Sequence, residues 1–172
     1  MKHSPALPVT WMSLRVLIVL NWILGGLILV LLAATFQAEE WTWRALGVGA
    51  VARHEGIVAG MRTIMVIGIA GVPIAYVVLK ELLKIVESVR DGDPFSADNA
   101  SRLRTIAWAL LGLELLHLLV VAIASAVSTK EVPLRLDGDI TLTGWLAVML
   151  LFVLAQVFRE GTRLRDDLEG TV

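Results

Sequence analysis

Four long apolar runs, at residues 14–36, 64–79, 106–127 and 142–158, constrain what this 172-residue chain can become. A helix rising ~1.5 Å per residue must cover ~30 Å of hydrocarbon to cross a bilayer, and each of these runs reads as the apolar part of one such helix. In hydrocarbon, backbone N–H and C=O groups must be satisfied within the segment, so such runs are helical. The expected fold is an all-α membrane protein with four transmembrane helices in a single integral membrane domain. The run 64–79 is the shortest and carries Gly68, Gly71 and Pro73. A kink is predicted there, compensated by a neighbouring helix or by water. The first run exceeds the ~7–15 apolar residues of a secretory signal, and residues 34–38 give no convincing small-x-small cleavage pattern, so it reads as an anchor.

Composition agrees. Hydrophobic residues make up 57% of the chain, against roughly 45–50% in ordinary soluble domains, and the mean hydropathy is +0.78. The net charge of −1 argues against direct contact with nucleic acid, which needs a clustered basic surface. With no cysteine there is no disulfide framework, thiolate nucleophile or Cys-based metal site.

Lys and Arg in the flanks set the expected direction. With both termini inside, ten lie on the inner side and five on the outer side. That bias predicts cytoplasmic termini in a bacterial inner membrane, a cytoplasmic loop at 80–104 and a cytoplasmic tail at 159–172. The outer segment 37–63 carries Trp41 and Trp43 and suits an interfacial helix with its tryptophans at headgroup depth. The outer segment 128–141 alternates around Asp137-Gly138, which admits a small β-hairpin over 132–142.

Polar residues inside the spans are functional candidates by default. Glu114 and His117 lie three apart, on one helical face and about 15–20 Å along the helix from Arg104. Asn21 on the first span and Gln156 on the fourth are candidate neighbours. Together they suit a proton relay, a ligand pocket or a hydrogen-bonded packing contact. A metal centre would need further inward carboxylates from other spans, and bis-His haem would need a homodimer, so no cofactor is expected. No hydrolase or phosphate-loop motif is present, and no enzyme activity is expected.

The inner segments are the most distinctive. Residues 80–90 keep helical spacing and extend the second span as an amphipathic helix. Asp91-Gly92 stops it, with Gly as the αL terminator, and Pro94 drives Asp93 out of the helical region. Phe95 precedes Ser96, the predicted N-cap of a helix running into the third span, with Phe95 as its staple. The tail is basic, then acidic, and Leu164 and Leu168 form a stripe four residues apart.

Gly92-Asp93-Pro94-Phe95, then Asn99 and Arg102-Leu103-Arg104-Thr105-Ile106-Ala107-Trp108, and the ending Gly161…Leu164…Asp167-Leu168-Glu169-Gly170-Thr171-Val172 resemble the bacterial membrane proteins of the domain of unknown function 2975 family. With the four-span layout, the resemblance covers essentially the whole chain. It implies a small four-helix protein commonly encoded beside a Cro/CI-type helix-turn-helix regulator. The expectation is a membrane regulatory protein that grips such a DNA-binding regulator through Asp93, Pro94, Phe95, Asn99, Arg102, Leu164, Asp167 and Leu168. The alternative is a carrier or redox protein using Glu114 and His117 on a proton, cofactor or small ligand. Packing through Gly25-Gly26 and the outer hairpin would give a homo-oligomer.

Overall fold

The computed structural model describes residues 6–45, 55–128 and 142–169. Five helices follow in order: α1 (Ala6–Gln37), α2 (Glu39–Ala45), α3 (Glu55–Arg90), α4 (Ala97–Val127) and α5 (Leu142–Glu169). There is no strand among the described residues. The hairpin expected over 132–142 lies outside them up to its last position, Leu142, which opens α5.

Four of the helices are long and apolar enough to cross a membrane, over Pro8–Gln37, Gly56–Arg90, Ala97–Val127 and Leu142–Leu164. Only 6–11% of each apolar window is buried inside the protein. Side chains such as Leu27, Val30 and Met149, each more than 60% exposed, are therefore directed outward. Water would penalise so much exposed apolar surface and lipid does not. The chain is a multi-pass membrane protein.

The helices overrun the apolar runs. α3 begins nine residues before the run at 64, and it ends at Arg90. The amphipathic stretch 80–90 is thus the same helix as the span.

The described residues form two compact units. Of these residues, one unit draws on 6–20, 74–112 and 142–169, the other on 21–45, 55–73 and 113–128.

In the second of these, α1 and α3 approach closely at Gly25, where a Cβ would lie 2.9 Å from both γ-methyls of Val72. Pro73 sits inside α3 and contributes no N–H to the helix ladder. Beside it, the Asn21 amide of α1 donates to the carbonyl of Val72 at 3.1 Å. A polar side chain in the span is thereby satisfied by a neighbouring helix's backbone, the kind of compensation expected near an intramembrane proline.

The short α2 differs from the expected interfacial helix. Trp41 is 69% exposed, but Trp43 is fully buried and packs with Ile57, Val58, Met61 and Met65. Burying one large apolar side chain contributes about 1.5–3 kcal/mol, which favours folding α2 back onto α3. α2 also completes the end of α1. The Thr42 hydroxyl donates to the carbonyls of Ala38 at 2.8 Å and Ala34 at 3.2 Å. Arg62 of α3 donates to the carbonyl and hydroxyl of Thr35, pairs with Glu39 at 3.5 Å and lies 4.2 Å over the Phe36 ring. Carbonyls that a helix C-terminus leaves without intrahelical partners are thus supplied from two neighbouring elements.

Candidate functional site: the α3–α4 joint

In the other unit, α3 stops with a complete Schellman motif. The Asp93 N–H donates to the Ser88 carbonyl at 3.0 Å and the Gly92 N–H to the Val89 carbonyl at 3.3 Å. Gly92, at φ 88°, is the only positive-φ residue among those described. The left-handed conformation costs an L residue about 1–2 kcal/mol and costs glycine nothing comparable. The stop is therefore written into the sequence at Gly92. Ser96 caps α4 as predicted: its hydroxyl accepts from the Asn99 N–H at 3.4 Å and its carbonyl accepts the same N–H at 3.0 Å. Asp98 in the first turn complements the positive end of the helix dipole.

Asn99 is the hub of the joint. It is fully buried, and its side-chain amide donates to the Ser88 hydroxyl and, at 2.9 Å, to the Pro94 carbonyl. Its side-chain Oδ1 accepts from Arg102 at 2.9 Å, and Arg102 also donates to the Lys84 carbonyl at 3.3 Å. Asp98 pairs with Arg102 at the longer distance of 3.8 Å. A buried amide is costly unless its hydrogen bonds are made, and here the end of α3, the turn and the start of α4 all supply them.

Phe95 projects from the turn. It is 60% exposed, and the face that is covered stacks on Phe158 of α5, with ring centroids 5.3 Å apart and planes 29° apart. The expected staple is thus a contact to the last helix. On the α3 side, the Trp11 indole of α1 donates to Glu87 at 3.1 Å, with the Arg15 guanidinium 3.8 Å from its ring centroid and Arg90 5.8 Å away. The first turns of α1 are thereby fastened to the α3 segment that leads into the joint.

Of the other candidate residues, Asp93 is exposed and Pro94 half-buried. Leu164 on α5 is 57% exposed. Asp167 and Leu168 fall within the helical backbone of α5, and their side chains lie outside the described residues. In the spans, Asn21 bonds to the Val72 carbonyl. Glu114 is half-buried while His117 is exposed, so one turn separates two different environments. Gln156 is exposed and lines a cavity of about 350 Å³ with Arg104, Trp108, Phe152, Ala155 and Arg159. Among the described residues no group of three His, Cys, Asp or Glu is placed to hold a metal ion.

Sequence reasoning missed Ser88, Phe158, Trp11 and Glu87 as parts of this assembly. Phe158 carried one signal, as the last apolar residue before Arg159. Ser88 carried none, because a hydroxyl in an amphipathic helix is unremarkable until its partner is known.

A family model described as "Protein of unknown function (DUF2975)" matches residues 14–172. No curated protein and no solved structure matches the chain.

Proposed function

The chain belongs to the DUF2975 family, and we propose that it is a non-enzymatic regulatory protein of the bacterial inner membrane, a single integral domain with both termini in the cytoplasm. In this reading the α3–α4 joint and the α5 tail form one cytoplasmic face. That face holds or releases a small helix-turn-helix transcription regulator, so contact with DNA is indirect. The observation that carries the reading is the stack of Phe95 on Phe158, which brings the turn and the last helix together. Around it, Phe95 and Leu164 remain 60% and 57% exposed, two apolar anchors of the sort a protein partner covers. The ten-to-five distribution of Lys and Arg supports the orientation.

Regulation requires two states that a ligand or partner binds unequally. The turn itself is pinned by the Schellman bonds and Asn99, so the movable part in this reading is the Phe95–Phe158 contact. An aromatic pair contributes about 0.5–1.5 kcal/mol beyond its buried area, small enough for a bound partner to override.

The test is co-purification of a co-expressed Cro/CI-type helix-turn-helix regulator with the full chain, with Phe95→Ala, and with a chain ending after Arg163. Capture by the wild type and its loss in both variants is expected. Equal capture by all three, with the variants correctly folded, rejects the reading.

A further inference from the structure

We propose that the cavity shared by α4 and α5 in the unit containing the joint is a binding site for the phosphate of an anionic lipid headgroup. The cavity, about 350 Å³, is lined by Arg104 and Trp108 of α4 and by Phe152, Ala155, Gln156 and Arg159 of α5. It therefore presents two positive charges and an amide, with no carboxylate among its lining residues. Neither guanidinium forms an ion pair, and the Gln156 side chain forms no hydrogen bond, among the described residues. That contrasts with Arg62 and Arg102, whose side chains are engaged at several points each. Two exposed arginines and a glutamine line one concavity with no protein acceptor engaged among the described residues, and a phosphate supplies acceptor oxygens in the geometry that guanidinium binds best.

Depth identifies the source of the phosphate. Arg104 is the last charged residue before the apolar run of α4, and Arg159 is the first after the apolar run of α5. Both therefore stand at the boundary between hydrocarbon and headgroups. Trp108 and Gln156 lie about one helical turn further in, the depth at which tryptophan is enriched in membrane proteins. Trp108 meets Phe152 edge to face at 5.2 Å, giving the cavity an aromatic wall for the glycerol and upper acyl carbons below the phosphate. Basic pockets between spans at this level recognise anionic headgroups through the same chemistry. Free phosphate shares that chemistry but makes no use of the aromatic wall.

The experiment uses the full chain in neutral detergent, titrated with short-chain phosphatidylglycerol, short-chain phosphatidylcholine and inorganic phosphate, with bound species counted by native mass spectrometry. Phosphatidylglycerol is expected to bind at least about tenfold more tightly than phosphatidylcholine. Arg104→Gln or Arg159→Gln should weaken it roughly fivefold each, and the pair roughly thirtyfold. Arg163→Gln, one turn further along α5 and outside the cavity, should change it less than about twofold. The Arg104→Lys/Arg159→Lys pair, which keeps the charges but not the guanidinium fork, should bind more weakly than the wild type and more tightly than the Gln pair. Equal binding of the two lipids, or equal losses in Arg163→Gln and the cavity variants, overturns the proposal. Inorganic phosphate that binds as tightly as phosphatidylglycerol overturns the lipid as source. Regulator capture is a separate measurement, so the two readings fail independently.

Discussion

Asn99 and Ser88 lie on opposite sides of the Gly92 turn, and a hydrogen bond between their side chains joins them across it. Through that bond the last turn of α3 and the first turn of α4 share a single buried amide.

Replacing Asn99 by Ala should be among the most damaging substitutions at the joint. It removes bonds to Ser88, Pro94 and Arg102 together and leaves their polar groups to find other partners. A loss of about 2–3 kcal/mol is expected, read as a lower unfolding midpoint in detergent by circular dichroism. Asn99→Leu should be no better, because volume alone restores none of the three bonds.

Gly92 offers a purely conformational test. No atom lies within 4 Å of where its Cβ would be, so Gly92→Ala meets no steric neighbour and loses only the favourable backbone conformation. About 1–2 kcal/mol of destabilisation is expected, with Gly92→Asn costing roughly half as much or less because Asn tolerates the left-handed region. If Ala proves neutral in the same unfolding assay, the turn is not held at positive φ.

The stack of Phe95 on Phe158 can be isolated with a double-mutant cycle. Phe95→Ala and Phe158→Ala should show a coupling of about 0.5–1.5 kcal/mol in unfolding free energy. A coupling near zero would mean that the two rings do not meet in the folded protein.

Two adjacent glycines should respond in opposite ways. At Gly25 a Cβ would press on both γ-methyls of Val72 at 2.9 Å, and a β-branched side chain in a helix cannot swing both away. Gly25→Ala should therefore cost about 1–3 kcal/mol, with most of it recovered in the Gly25→Ala/Val72→Ala pair. Gly26→Ala meets nothing within 4 Å and should stabilise by up to about 0.5–1 kcal/mol, raising the unfolding midpoint, because alanine holds a helix interior better than glycine.

Features with local causes were legible in the sequence. Four apolar runs gave four spans. Gly92, Pro94 and Ser96 gave the stop, the turn and the cap, because helix termination depends on a few neighbouring residues. What escaped was tertiary. A sequence displays side chains and so offers Asn21 as a neighbour of Glu114 and His117, whereas the acceptor of its amide is the backbone carbonyl of Val72. Trp41 and Trp43, two positions apart, look alike in the sequence, and only the fold shows that one is exposed and the other covered. Arg62 reads in the sequence only as a charge in an outer loop, yet it holds the end of α1 at Thr35.

The Asn99 hub also implies an order of assembly. Its bonds reach 5 and 11 residues along the chain, and the Arg102 bond to Lys84 reaches 18. Everything that closes the joint is therefore present once Arg102 has joined the growing chain, and contacts so local carry little loop-closure entropy. α3 and α4 can enter the bilayer as a finished helical hairpin while α5 has yet to be made. Phe158 then arrives last, at a Phe95 already fixed in place.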